Sequence, residues 1–177
     1  MALNGLTVTM FNQIRAELSK AYTGPGPDHE SLESVNRAMQ WDFGTTGSLA
    51  DTVYSAKLSL TTGQSKALNI SGGAHGGAVA LTDPFGDAIS FARIYGFAFD
   101  NESIENVQIE GIATDGWTTF FGTGVGTDII KLKAGSGLQH ITSDATGLVV
   151  ATDEVLVVHN MGSTTIEVQM ILIGRSV

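Results

Sequence analysis

Two hydrophobic rhythms divide the chain. Near the start, Phe11, Ile14, Leu18 and Ala21 fall at i, i+3, i+7 and i+10. That spacing makes one stripe of an amphipathic helix, with Gln13, Arg15, Glu17 and Lys20 around the rest of it. The segment TGPGPDHE, 23–30, ends the helix, because Gly and Pro alternate and neither continues it. Leu32, Val35 and Met39 then predict a second short helix ahead of QWDFGTTGS. From about Asp51 the period changes to two. Tyr54, Ala56, Leu58 and Leu60 alternate with Ser55, Lys57 and Ser59, the pattern of a half-buried strand.

Short alternating runs continue to the C-terminus, separated by turn residues. DPFGD, 83–87, predicts a turn, since Pro fixes φ and Gly accepts positive φ. The next strand, SFARIYGFAF (90–99), is apolar on both sides. Regular alternation places Phe91, Arg93, Tyr95, Phe97 and Phe99 on one face and Ala92, Ile94, Gly96 and Ala98 on the other. A β-bulge near Arg93 would shift that register. VLVVHN and IEVQMILIG, joined by MGSTT, form the clearest hairpin. About ten short strands with turns every 8 to 12 residues predict a sandwich or barrel. The expected architecture is all-β, a jelly-roll-like β-sandwich over 51–177, preceded by an N-terminal helical arm and linker over 1–50.

Composition sharpens this picture. Of 177 residues, 42% are hydrophobic and only 15% charged, against roughly 25% charged in ordinary soluble domains. A surface so poor in charge predicts a covering layer, and packing of identical subunits supplies one. The net charge of −9, with Lys and Arg scattered singly, argues against nucleic-acid binding. The absence of Cys excludes disulfides, zinc–thiolate sites and Cys nucleophiles. The opening residues lack the charged and apolar regions of a signal peptide, and no apolar run approaches a membrane span. A soluble protein made in a cytoplasm is the expectation.

Catalytic chemistry finds little support. His29, His75, His140 and His159 show no metal-ligand spacing. GTGVGT, 122–127, lacks the spacing and the Lys of a phosphate loop, and GAHGGA, 73–78, has no nucleophile elbow beside it. Asp83 with Asp87, and Asp153 with Glu154, match no calcium loop and sit where Asp is common in turns. Trp117, Phe120 and Phe121 beside the Gly-rich loop suit a sugar-stacking platform, but burial of Trp117 and Phe121 on one strand face is the simpler reading. Arg93 is expected to pair with a carboxylate or to stack on Tyr95 or Phe97. No enzyme activity, cofactor or metal is expected.

The segments LTDPFGDAISFARI (81–94), DATGLVV (144–150) and ILIGRSV (171–177) resemble a family of small virion proteins of tailed bacteriophages. The likeness spans roughly residues 50–177; IENVQIEGIATDG and the insert SGGAHGGAVA depart from it. The resemblance implies a jelly-roll fold, a homotrimer on the outer shell, the major capsid protein as partner, and a role as capsid decoration or cement protein. It brings no catalytic residues, membrane contact or nucleic-acid contact. Phe11, Ile14, Leu18, Trp41 and Phe43 are the candidate capsid or subunit anchors, because large apolar side chains dominate interface energetics. A tail-fibre or adhesion module holding a host glycan on Trp117, Phe120 and the 122–127 loop is the rival expectation.

Overall fold

A computed structural model describes residues 8–20, 29–41, 50–73, 77–83, 85–111, 116–121, 129–142, 146–152 and 154–176. The N-terminal part differs from expectation. Val8–Lys20 (β1) and His29–Trp41 (β2) are strands, not helices, and pair antiparallel from Val8↔Trp41 to Lys20↔His29. The physical reason lies in a second rhythm within the same residues. Val8, Met10, Ile14, Ala16 and Leu18 occupy alternate positions, and Val8 and Thr9 favour extended backbone. Helical and strand periods both fit so short a segment, and β2 decides between them by setting Val35 opposite Ile14 and Met39 opposite Met10. The Gly/Pro linker of 21–28 lies outside the described residues.

The expected all-β sandwich is present. Its strands are Thr52–Leu60 (β3), Ser65–Asn69 (β4), Val79–Thr82 (β5), Ala88–Ile89 (β6), Arg93–Asn101 (β7) and Val107–Gly111 (β8). After a helical turn, Thr118–Phe121 (α1), come Ile129–Leu132 (β9), Gly137–Ile141 (β10), Leu148–Val149 (β11), Val155–Asn160 (β12) and Ile166–Arg175 (β13). One sheet runs β10-β7-β13-β3, with β11 extending the β10 edge of β7; the other runs β6-β5-β4-β12-β8-β9. Among the described strands, pairing is antiparallel except between β4 and β5. The chain passes from sheet to sheet after β3, β6, β7, β9, β11 and β12.

The core fills the space between the sheets. Leu58, Leu60, Leu68, Phe97, Phe99, Ile109, Val158, Val168, Met170 and Leu172 are all buried there, contributed by strands of both layers. Each such side chain contributes roughly 1.5–3 kcal/mol on leaving water. The predicted alternation of β3 holds: Tyr54, Leu58 and Leu60 face inward while Ser55, Lys57 and Ser59 are exposed.

Strand β7 departs from regular alternation. Against β13, Gly96 pairs with Ile173 while Ile94 pairs with Gly174, so Tyr95 is an extra residue. This bulge puts Ile94 in the core with Phe91, Phe97 and Phe99. Tyr95 joins Ala50, Ile141 and Ile173 in a separate cluster that also takes in Val53 and Ile171. The expected single row of Phe91, Arg93, Tyr95, Phe97 and Phe99 is therefore split between two layers of packing. Gly174 makes the bulge possible: a methyl group there would overlap the Arg93 carbonyl oxygen and the Phe91 ring. WTTFF was expected as a strand; it forms α1 instead, with Trp117 and Phe121 buried as foreseen.

Candidate interaction surface

Phe11, Ile14 and Leu18 do not form the helical stripe expected of them. Phe11, Ile14 and Leu18 lie on β1 opposite Ala38, Val35 and Ser31, and Trp41 ends β2 opposite Val8. Phe11 stands at an odd position of the ladder and Ile14 and Leu18 at even ones, so the strand places them in different rows. Phe43 lies outside the described residues.

The connections at one end of the sandwich are locked together. They are residues 61–64, 102–106, 133–136 and 161–165. Two buried asparagines organise them in the same way. Asn160 closes β12; its Nδ2 donates to the carbonyls of Leu60 (2.9 Å) and Thr164 (2.7 Å), and its Oδ1 accepts from Gly162 N (2.8 Å). Asn101 closes β7 and repeats the arrangement, donating to the carbonyls of Glu105 (2.7 Å) and Lys133 (3.0 Å) while accepting from Ser103 N (3.1 Å). Each side chain thus holds its own turn and captures the end of a strand distant in sequence. Ser163 then ties two turns together through N and Oγ bonds to Glu105 Oε1, at 3.1 and 2.9 Å. The Ser163 hydroxyl, followed by its amide, holds the Glu105 carboxyl below its ordinary range.

This rigid end displays apolar tips. Ile104 is 84% exposed and Met161 57% exposed, each inside a hydrogen-bonded turn. Sequence reasoning passed over both, because a single apolar residue in a turn carries no periodic signal. Nearby on the outer side of the sheet, Lys57 Nζ bridges Glu102 Oε2 at 2.8 Å and Glu167 Oε2 at 2.7 Å. Hydrogen bonds to Glu102 and Glu167 raise its pKa.

The opposite end is held by different groups. Trp117 is fully buried, its Nε1 donating to Val149 O at 3.1 Å. It meets Phe97 edge-on at 5.9 Å, and Phe120 stands 4.7 Å from the same Phe97 ring. A platform for sugar stacking needs an exposed ring face, so burial removes Trp117 from the expected glycan site; 122–127 lies outside the described residues. Glu154, also buried, accepts from Thr118 N (3.1 Å), Thr118 Oγ1 (3.0 Å) and Ala151 N (2.9 Å). These bonds fasten α1 to the β11–β12 connection. The predicted 83–87 turn is present: Asp83 Oδ1 accepts from Phe85 N and Asp87 N, Gly86 takes φ of +92°, and Phe85 is 78% exposed at the tip.

The Arg93 guanidinium donates to the Thr146 carbonyl, and among the described residues no carboxylate or ring partner for it is found. His159 Nε2 meets Glu110 Oε1 at 2.6 Å, and His140 stacks on Phe97 with centroids 5.2 Å apart. Among the described residues no cluster of three His, Cys, Asp or Glu side chains has metal-binding geometry. A groove of about 350 Å³ is lined by Ala98, Phe99, Asp100, Gly137 and Gln139, and a cleft of about 450 Å³ by Phe91, Ala92, Val150 and neighbours. The groove carries one carboxylate, Asp100, and the cleft two hydroxyls, Ser71 and Thr152. No described helix is long and apolar enough to cross a membrane. Comparison of the chain with protein-family models, with curated proteins and with solved structures finds no match.

Proposed function

We propose that the protein is a structural virion protein of a tailed bacteriophage that decorates the capsid exterior and cements it by bridging capsomers. The observation that carries this reading is the strand order. With the short strands β5, β6 and β11 set aside, the sheets run β3-β13-β7-β10 and β4-β12-β8-β9. Numbered in sequence, these eight strands are 1-8-3-6 and 2-7-4-5. We infer that this is a jelly roll, an arrangement used by viral capsid and lectin domains. Fold alone does not give function, and the resemblance of 81–94, 144–150 and 171–177 to virion proteins of tailed bacteriophages supplies the rest of the argument.

A cement protein needs a stiff body and many weak symmetric contacts rather than chemistry. The locked end of the sandwich supplies stiffness and exposes Ile104 and Met161 as points of contact. Assembly as a homotrimer on the major capsid protein multiplies three such contacts. A trimer carries 3 × −9 = −27 formal charges, which discourages adsorption to the packaged DNA and to other particles. Neither a cofactor nor a metal enters this role.

Immunogold labelling of intact virions, viewed by electron microscopy, tests the proposal. Dense label over the head is the expected result. Label confined to the tail tip would replace decoration by adhesion, and virions without label would remove the protein from the particle.

A further inference from the structure

We infer that the β1–β2 ribbon of one copy adds in a second copy to the edge of β3 that has no partner among the described residues, with β1 as the strand that docks. Sheet edges invite such pairing, and proteins ordinarily guard them with short strands, Pro, bulges, covering segments or outward charge. Three edges of the sandwich are short: β6 has 2 residues, β9 has 4 and β10 has 5. The fourth, β3, has 9 residues and, among the described residues, pairs only with β13. It contains no Pro or Gly, and its ladder with β13 runs without irregularity from Leu60 to Thr52. Its one charged residue, Lys57, is drawn back onto its own sheet by Glu102 and Glu167.

The ribbon has the complementary need. β1 and β2 have 13 residues each and, among the described residues, pair only with each other. Two strands alone are marginal in water, and a third strand or a covering layer is required. The direct way to cover β3 within one chain is a β2–β3 hairpin across residues 42–51. The described ladders do not contain it. Ala50 and Asp51 are fixed on the sandwich, and the eight residues 42–49 reach at most about 29 Å when extended, enough to cross to an adjoining copy.

Charge selects the strand. Residues 50–177 hold 6 basic and 13 acidic side chains, a balance of 6 − 13 = −7. The ribbon strands are neutral, with Arg15, Lys20 and Arg37 against Glu17, Glu30 and Glu33. Within them β1 carries 2 − 1 = +1 and β2 carries 1 − 2 = −1. The Lys57–Glu102–Glu167 group beside the β3 edge is −1, so β1 is attracted where β2 is repelled. The inference concerns the free protein and stands apart from whether it binds a capsid.

The chain has no Cys, so single cysteines report cleanly. Gln13→Cys and Ser55→Cys proteins, full length, are co-expressed from separate genes and treated with a short bis-maleimide, which tolerates uncertainty in register. The expected product is a band at twice the 18.5 kDa chain mass that needs both variants. A protein carrying both substitutions on one chain should give a ladder of two or more chains. A ladder replaced by intrachain cross-linking alone would overturn the inference, since the ribbon would then cover its own β3. Cross-linking of Ser55→Cys to itself would overturn it in favour of β3–β3 pairing, and absence of any product would overturn it outright.

Discussion

At one end of the sandwich the connections run over 61–64, 102–106, 133–136 and 161–165; at the other they include 70–78, 112–128 and 142–147. The short connections are closed by main-chain carbonyls captured on two buried amides, Asn101 and Asn160. The longer ones share one such amide, Asn69, which donates to Gly72 O and accepts from Ser71 N, but add large or charged side chains, chiefly Trp117 and Glu154. A fold can thus close one end with short polar side chains set on main-chain carbonyls and leave length to spare at the other, where long loops ordinarily carry function. Stability at the first end is spread over many small bonds, and at the second it is concentrated.

Concentration should show in the largest mutational effect. Trp117→Ala removes a fully buried ring and its bond to Val149, and should cost about 3–5 kcal/mol in urea unfolding. An effect below about 1 kcal/mol would remove the contrast between the ends. Asn160→Ala should come next, at about 2–3 kcal/mol, because it leaves the carbonyls of Leu60 and Thr164 without their donor. Amide exchange should then quicken in the 161–165 turn more than around α1; equal quickening at both ends would mean that they are not separate units. The smallest effect is expected from pH. The folded-state pKa of Glu105 is lowered by Ser163, so its contribution is present above the ordinary value of 4.5 and is lost as pH falls through the folded value. Glu105→Gln should flatten that acid limb of the stability curve, measured by thermal melts between about pH 6 and 3; an unchanged slope would place the acid sensitivity elsewhere.

The sandwich strands were legible because alternation and turn chemistry are local. Tyr54, Leu58 and Leu60 point inward as their spacing foretold, and the 83–87 turn fell where Asp and Gly placed it. The hairpin expected of VLVVHN and IEVQMILIG did not form: β12 pairs with β4 and β8, β13 with β3 and β7, and the MGSTT turn carries the chain from one sheet to the other. The ribbon was misread because Ile14 and Leu18 satisfy a helical and an alternating period together, and only the ladder to Val35 and Met39 separates the two. The bulge at Tyr95 was foreseen only as a disturbance near Arg93, since its register depends on Gly174 from a strand some eighty residues away. Of the candidate surface less was readable. Asn101 and Asn160 looked like ordinary turn residues; what buries them is carbonyls from β3 and the end of β9, partners that no local pattern announces. Ile104 and Met161 carried no signal at all.

The extra residue in β7 has a consequence for how this gene can lose codons. Removing one residue from β3 or β13 would turn the remainder of the strand inside out, exchanging core for surface. Removing Tyr95 would instead restore regular pairing of Gly96 and Ile94 with Ile173 and Gly174 and keep Ile94, Phe97 and Phe99 directed at the core. The outer cluster around Ile141 and Ile173 would lose its central ring while the inner one stayed whole. Within β7, Tyr95 is therefore the position where a one-codon deletion keeps inward and outward faces in register, at the cost of one fully buried ring.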